Sequence, residues 1–292
     1  MIDPRITRST PVIMQGVTGR AGRSHFQLMR AYGTNIVAGV SPRAAGTQID
    51  GVSLFGTCAE AVAATGAKVS ILFIGAEQLL AAIEEAIAAG IEMLVTPTEG
   101  MPIHDAVRAK RLTLAKGVTW IGASTPGMAV PGEAKLGFLP DATLARGPLG
   151  IMSKSGTLSY ESGYRLVQHG IGQSVWVGVG GDPVKGVRFA DLVPFFGADA
   201  QTRAVLIIGE IGGTEEEEFA HALEAHGFSK PVFALIAGRS APEGVSMGHA
   251  GALVHGAHGT YAAKKTALEA AGATVFGSLD EMTRGIVAAL RR

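Results

Sequence analysis

The 292-residue chain has a single cysteine, Cys58, which excludes an intramolecular disulfide, a Cys-x-x-Cys redox pair and a cysteine-based zinc cluster. Charged residues make up only 17%, and 25 basic side chains balance 25 acidic ones, which excludes a globally basic nucleic-acid binder and a polybasic membrane-surface protein. The sequence has no apolar run of about 18 residues and no signal-peptide pattern at its N-terminus. We therefore expect a cytoplasmic protein with no nucleic acid and no membrane as partner.

Glycine, by contrast, is abundant: 41 residues punctuate a regular alternation of short apolar runs and amphipathic segments. Such alternation indicates βαβ units and parallel sheets, and the length suggests two α/β domains. Four prolines and several glycines interrupt the pattern from Pro126 to Pro148, around one extended piece at Glu133–Phe138. We expect a first domain over residues 1–127, a linker over 128–147 and a second domain over 148–292.

The predicted strands are Pro11–Gln15, Asn35–Val40, Val69–Ile74, Glu92–Thr96 and Thr119–Gly122, then Gly150–Ser153, Ser174–Val179, Ala204–Gly209, Val232–Ala237 and Thr274–Phe276. The predicted helices are Arg20–Ala31, Cys58–Thr65, Leu79–Ala89 and Ile103–Ala115, then Thr157–His169, Glu215–His226, Tyr261–Ala271 and Leu279–Arg291.

A glycine-rich turn follows the first strand, with Gly16, Gly19 and Gly22 in GxxGxxG spacing before the first helix. Backbone N–H groups at such a helix N-terminus favour a phosphate or pyrophosphate. An NAD site also needs an acid after the second strand, but Val40–Arg43 offers an arginine and no acid. NAD is therefore disfavoured, while NADP or another phosphorylated adenosine such as coenzyme A remains open.

Three features of the second half are candidates for chemistry. Ser153–Thr157 joins a strand to a helix, where it either caps the helix or binds an anion. His249 lies among small residues, which suits a phosphoryl-carrying nucleophile as well as an ordinary loop residue. Glu210 ends a strand and is a candidate to orient that histidine. The acidic run Glu215–Glu218 is expected to be solvated in the first turn of a helix.

Together these segments resemble a known family along nearly the whole chain. The chain is similar to the α subunit of succinyl-CoA synthetase, of the ADP-forming acyl-CoA ligase family. The segments that carry the resemblance are Gln15–Gly19, Ala31–Thr34, Thr98–Gly100, Ser155–Leu158 with Tyr160 and Glu161, Gly180–Pro183, Ile208–Gly213, Met247–Ala252 and Ala267–Gly272.

The resemblance implies an N-terminal Rossmann-like CoA-binding domain followed by a flavodoxin-like α/β domain. It implies that His249 is phosphorylated and that Glu210 pairs with it. The implied coenzyme A contacts are Thr18, Gly19, Arg20, Ala21, Pro97, Thr98 and Glu99, with Arg43 one residue before the family's lysine position, which is Ala44 here. The helix N-terminus at Ser155, Gly156 and Thr157 would stabilise the phosphohistidine, and Tyr160 falls on a position associated with substrate.

The implied reaction has three steps. Nucleotide and carboxylate give an acyl phosphate, His249 takes the phosphoryl group and CoA captures the acyl group, or the sequence runs in reverse. ATP or GTP with Mg²⁺ would belong to an ATP-grasp β subunit of the same hetero-oligomer, and this chain contains no GxxxxGK[ST] loop. No metal is expected in this chain.

One departure concerns the carboxylate. The family's Pro-Asn-Cys-Pro-Gly turn, which lies by the acyl-substrate pocket, is Ala123–Gly127 here and lacks both the amide and the thiol. This departure makes succinate itself less favoured, and we expect the acid to be succinate or a related small carboxylate. Two alternatives stay open: an NADP-dependent reductase and a non-catalytic CoA-binding paralogue.

Overall fold

A computed structural model describes residues 2–241, 249, 251–254 and 259–291. Within Met247–Ala252, His249, Gly251 and Ala252 are described, whereas Met247, Gly248 and Ala250 lie outside the described residues.

The first half forms a seven-stranded sheet. Its strands are β1 (Val12–Gln15), β2 (Ile36–Val40), β3 (Gln48–Ile49), β4 (Val52–Phe55), β5 (Val69–Leu72), β6 (Met93–Thr96) and β7 (Thr119–Gly122), and its helices are α1 (Arg20–Tyr32), α2 (Cys58–Thr65), α3 (Leu79–Ala88) and α4 (Ile103–Lys116). The spatial order is β3-β4-β2-β1-β5-β6-β7, with only β3 antiparallel to its neighbour. Without β3, this is the 3-2-1-4-5-6 order of dinucleotide-binding folds, which confirms the Rossmann-like prediction.

The second half forms another seven-stranded sheet. Its strands are β8 (Gly127–Val130), β9 (Ala134–Gly137), β10 (Arg146–Ser153), β11 (Gln173–Gly178), β12 (Ala204–Glu210), β13 (Val232–Ala237) and β14 (Thr274–Phe276), and its helices are α5 (Gly156–Gln168), α6 (Phe189–Ala198), α7 (Glu215–Ala225), α8 (Tyr261–Ala270) and α9 (Leu279–Leu290). The order is β14-β13-β12-β10-β11-β8-β9. The parallel strands β10–β14 therefore have the flavodoxin-like order 2-1-3-4-5.

The structure differs from the prediction in the segment 128–147. This segment is not a free linker, because most of β8 and all of β9 come from it and extend the second sheet next to β11. Both short strands are wholly buried, and burial of their apolar side chains offsets the entropy cost of ordering the chain. Helix α6 was also not predicted, because Pro194 lies inside it and its apolar residues leave little periodicity.

Two points in these sheets determine where a ligand can bind. In doubly wound sheets, ligands bind beyond the carboxyl ends of the strands, where the strand order reverses. That switch point lies between β1 and β5 in the first sheet and between β10 and β12 in the second. The glycine-rich turn follows β1, while Lys154 follows β10 and Glu210 ends β12. The fold therefore brings predicted site residues to both switch points.

The two halves are joined by both polar and apolar contacts. The Asp182 carboxylate accepts hydrogen bonds from the backbone N–H groups of Gly100 and Met101. Lys110 of α4 donates to the Gly186 carbonyl, and one apolar cluster contains side chains from both sheets.

Across the described residues, no helix is both long and apolar enough to span a membrane.

Candidate active site

The glycine-rich turn after β1 is shaped by two close approaches of the backbone. Gly16 has φ +75°, and a Cβ there would lie 2.2 Å from the Phe73 carbonyl oxygen. A Cβ on Gly22 would lie 2.2 Å from the Gly16 carbonyl oxygen. Gly19 is the N-cap of α1 and makes no side-chain cap. The spacing GxxGxxG therefore seats α1 tightly against the end of β1 and leaves its first N–H groups without intrahelical partners.

The structure brings the predicted coenzyme A residues to one edge of the first sheet. Thr18, Gly19, Arg20 and Ala21 are exposed at the start of α1. The Thr18 hydroxyl lies 3.0 Å from the Ser41 hydroxyl at the end of β2, and the exposed Arg43 follows in a short 3₁₀ turn.

The second predicted segment, Pro97–Glu99, follows β6 at the same edge. The Thr98 hydroxyl donates to the Ile74 carbonyl at 2.6 Å, which fixes this segment against the end of β5. The Ser124 N–H donates to the Thr98 carbonyl. Pro97 is buried and Glu99 is exposed. Both predicted segments therefore lie along the same carboxyl edge.

The second edge holds the predicted histidine–carboxylate pair. Nδ1 of His249 lies 2.6 Å from Oε2 of Glu210, the last residue of β12. A carboxylate can only accept, so the proton of this hydrogen bond belongs to Nδ1. The bond to Glu210 raises the pKa of His249 above its ordinary value, although partial burial opposes the shift, and Glu99 raises it further. His249 keeps 31% of its side chain exposed, which leaves the ring accessible.

A buried charge cluster surrounds Glu210. Its members are Lys154, Lys185, Lys264, Glu210, Glu215 and Glu216, each with 7% or less of its side chain exposed. Burial acts to lower the pKa of Lys154, but the neighbouring glutamates raise it above its ordinary value. Burial also acts to raise the pKa of Glu216, and Lys154 and Lys264 lower it below its ordinary value. The cluster therefore holds its charges in ion pairs away from water.

This cluster corrects one sequence-based expectation. The acidic run Glu215–Glu218 was expected to be solvated, but Glu215 is 3% exposed and Glu216 is fully buried. Glu215 pairs with Lys185 at 2.7 Å, and Glu216 accepts from the backbone N–H of Glu210 at 3.0 Å. Four acids in a row indicate the N-terminus of a helix, because they complement the helix dipole, but they do not indicate which of the four side chains face inward. The signal that sequence reasoning missed is the pair of lysines, Lys154 and Lys185, that follow two strands of the same sheet.

The predicted anion site at the start of α5 begins directly after Lys154. Ser155 is the N-cap, and its hydroxyl accepts from the Leu158 N–H at 3.3 Å, so the capping interpretation holds for this residue. Gly156 is half-buried and Thr157 is exposed. Tyr160 lies one turn further along, and burial raises the pKa of its phenol to about 12.

A cavity of about 270 Å³ lies at the second edge, where Gly181 is next to the ring of His249. Its wall includes Lys154, Lys185 and Arg188 together with Gly181 and Gly251. A Cβ on Gly181 would come 2.9 Å from Nδ1 of His249, so this glycine makes room for the ring. Within the described ranges, no three or more His, Cys, Asp or Glu side chains are arranged so that they could hold a metal ion. Burial raises the pKa of the Cys58 thiol to about 12, which leaves it unreactive.

Comparison with known proteins connects the two edges to one family. A family described as CoA binding domain matches residues 7–100, and one described as CoA-ligase matches residues 152–274. The α subunit of the ADP-forming succinate–CoA ligase of Aquifex aeolicus is 47% identical over 272 residues, covering 92% of this chain and 89% of that one. This chain belongs to the α-subunit family of the ADP-forming CoA ligases.

Relatives of this chain are named for two different acids, succinate and sulfoacetate. An α subunit of the ADP-forming succinate–CoA ligase of Archaeoglobus fulgidus is 43% identical, covering 96% of each chain. A subunit of the ADP-forming sulfoacetate–CoA ligase of Bilophila wadsworthia is 41% identical, covering 92% of this chain and 93% of that one.

Among solved structures, the ATP citrate lyase of Methanosaeta concilii in complex with (3S)-citryl-CoA has a TM-score of 0.87 at 25% identity. The match covers 97% of this chain, and this chain spans half the length of the lyase chain. The ATP citrate lyase of Methanothrix soehngenii shares the fold with a TM-score of 0.85 at 24% identity, over 98% of this chain and 50% of that one.

Proposed function

We propose that this chain is the α subunit of an ADP- or GDP-forming acyl-CoA ligase that joins coenzyme A to a small carboxylate. In this proposal His249 carries the phosphoryl group on Nε2, and Glu210 holds the proton on Nδ1. Coenzyme A binds at the carboxyl edge of the first sheet. A nucleotide with Mg²⁺ binds to an ATP-grasp β subunit.

One observation carries the proposal: Nδ1 of His249 donates to a buried glutamate at 2.6 Å. With the proton on Nδ1, the lone pair of a neutral ring is on Nε2, which is then the nucleophile. Attack of Nε2 on phosphorus forms an N–P bond as the P–O bond to the leaving oxygen breaks. Glu210 stabilises the positive charge that develops on the ring, and the step reverses when an acceptor oxygen attacks phosphorus.

Support for coenzyme A comes from the first edge. The helix N-terminus at Gly19 and the exposed Arg43 suit the phosphates of an adenosine nucleotide, and the Pro97–Glu99 segment lies along the same edge. The CoA binding domain family matches this half. The same match favours coenzyme A over NADP, and so favours a ligase over the reductase alternative.

The carboxylate is the least constrained part of the proposal. In the Ala123–Gly127 turn, the Thr125 hydroxyl is buried and bonded to the backbone, whereas Ser124 is half-buried with φ +57°. Relatives named for succinate and for sulfoacetate are similarly close to this chain. We therefore propose a small acid of this class, with Tyr160 and the start of α5 on the side of the acyl and phosphoryl groups.

The test is phosphoryl labelling of the reconstituted complex. The chain is purified with its β subunit, incubated with MgATP or MgGTP labelled at the γ-phosphate, and digested to locate the label. We expect an acid-labile, base-stable label on His249, which is discharged by coenzyme A together with the correct acid from a panel that includes succinate and sulfoacetate.

Two results would contradict the ligase proposal. A complex that binds coenzyme A but never labels His249 would identify the non-catalytic paralogue. Calorimetric binding of NADPH without binding of coenzyme A would favour the reductase.

A further inference from the structure

The two carboxylate oxygens of Glu210 have very different surroundings. Oε2 accepts the hydrogen bond from His249, whereas Oε1 is buried and has no hydrogen-bond partner within the described ranges. Leaving a buried carboxylate oxygen without a partner is costly, so native proteins compensate the charge in another way. Here the Nζ of Lys154 lies 3.6 Å from Oε1, just beyond hydrogen-bond distance.

Both the backbone and the side-chain ammonium of Lys154 are held by specific contacts. Its backbone N–H donates to the Ile208 carbonyl of β12 at 3.0 Å, which anchors it beside the strand that carries Glu210. Its ammonium lies among three carboxylates, 3.5 Å from Glu216 and 3.8 Å from Glu215 as well as 3.6 Å from Glu210. Glu216 in turn accepts from the backbone N–H of Glu210. Lys154 therefore acts on the Glu210 side chain directly and on its backbone through Glu216.

We propose that Lys154 is a positioning residue for phosphoryl transfer. Its ammonium attracts Oε1 and so fixes the rotation of the carboxylate that keeps Oε2 on Nδ1 of His249. Holding Oε2 there keeps the proton on Nδ1 and the lone pair on Nε2. This inference rests on the proposed role of His249, because it assigns the residue that maintains the nucleophilic tautomer.

A purely structural role for Lys154 must be separated from this one, because the buried charge cluster needs its three lysines to balance three glutamates. Lys185 is the matched control. Its side chain is 4% exposed against 7% for Lys154, and it pairs with Glu215 at 2.7 Å and donates to the Gly180 carbonyl. Removing either lysine costs the cluster one buried cation, but only Lys154 faces Glu210.

The experiment records the nitrogen resonances of His249 in the full chain labelled with ¹⁵N-histidine. The spectrum of His249→Asn assigns the signals. The pH is set separately for each variant where its His249 is neutral, because Lys154 acts to lower the pKa of this ring. In the unsubstituted chain we expect a protonated Nδ1 and an unprotonated Nε2. In Lys154→Met the two signals should move toward each other as the tautomers mix. Lys154→Arg should restore the original pattern, and Lys185→Met should keep it.

Two outcomes would overturn the inference: unchanged His249 nitrogens in Lys154→Met, or an equal change in Lys185→Met. If Lys154→Met does not fold, as judged by thermal unfolding, Lys154→Gln replaces it, because glutamine removes the charge and keeps a polar side chain. This readout needs neither nucleotide nor β subunit, so its failure is distinct from a failure of the labelling experiment. In the complex, Lys154→Met should lower the rate of His249 labelling at least tenfold and leave the Kd for coenzyme A within twofold.

Discussion

The carboxyl edges of the two sheets lie at equivalent switch points but are built from different chemical groups. At the first edge, the start of α1 has no acid in its first turn and no side-chain cap at Gly19, and close backbone packing shapes the turn. At the second edge, the first turn of α7 has four glutamates, two of them buried in the cluster with Lys154, Lys185 and Lys264. The first edge offers backbone N–H groups with exposed arginines beside them, and the second offers buried side-chain charges held in ion pairs.

This difference matches what each edge is proposed to do. Backbone N–H groups at a helix N-terminus suit a ligand that binds and leaves. They attract its phosphates, and no buried charged side chain has to lose its water first. A histidine that exchanges a phosphoryl group needs charges that are already oriented, because reorganising them during the reaction would raise the barrier. Buried ion pairs cost desolvation energy, and the second edge has this cost at the proposed site of phosphoryl transfer.

Among variants that alter one edge and leave the other unchanged, His249→Asn should have the largest effect. Asparagine cannot carry a phosphoryl group, so labelling of the complex should fall below about 10⁻³ of its rate with the unsubstituted chain. Coenzyme A should bind with a Kd within twofold of the unsubstituted value, measured by calorimetry. Loss of coenzyme A binding in this variant would show that the two edges are not independent.

A smaller but still large effect is expected for Glu210→Gln. Protonation of Nε2 blocks attack, so the labelling rate should rise with pH through the pKa of His249. The glutamate is the main cause that raises this pKa above 6.5, so glutamine should shift the acid limb of the profile to lower pH. The maximal rate should fall about 10²-fold, because the ring loses its charged partner.

The other charges that face His249 remain in Glu210→Gln: Glu99 acts to raise its pKa and Lys154 acts to lower it. Because these two charges act in opposite directions, the pKa of His249 in Glu210→Gln should differ only slightly from its ordinary value. An acid limb that stays in place, or moves to higher pH, would show that Glu210 does not control the titration of His249.

At the first edge, Gly22→Ala should weaken coenzyme A binding at least tenfold. The new Cβ would lie 2.2 Å from the Gly16 carbonyl oxygen, so α1 must move away from the turn. We expect about 1–3 kcal/mol of destabilisation from this overpacking. Gly19→Ala is the stability control, because its Cβ would lie 3.3 Å from the same oxygen and its backbone is extended. Equal destabilisation of the two variants in urea would contradict this account of the glycine spacing.

The smallest effect is expected for the N-cap of α5. Ser155→Ala removes the acceptor of the Leu158 N–H and should cost about 1 kcal/mol in the free energy of unfolding. Thr157→Ala is the control, since that side chain is exposed within the helix and should change the free energy by less than about 0.5 kcal/mol. A Ser155→Ala variant as stable as Thr157→Ala would show that this helix start depends on other contacts.

The sequence predicted the parallel architecture because its strongest signals are local. Helix α2 over Cys58–Thr65 and strand β7 over Thr119–Gly122 have the predicted bounds, since capping residues and short apolar runs mark where they begin and end. Strands β4 and β8 were not predicted, because β4 is a short run between two glycines and β8 begins in the proline- and glycine-rich segment that interrupts the pattern. Their place depends on neighbouring strands that are distant in sequence.

The candidate site also has features that the sequence predicts and features that depend on the tertiary structure. The glycine spacing, the carboxylate that ends β12 and a histidine among small residues can be read from the sequence, because each depends on residue type and on near neighbours. The family resemblance implied that His249 pairs with Glu210, 39 positions away. Only the tertiary structure decided that Nδ1 is the nitrogen that meets the carboxylate and that Glu215 and Glu216 face inward onto lysines. Pairing across a sheet depends on strand order and register, and these follow from the packing of the whole domain.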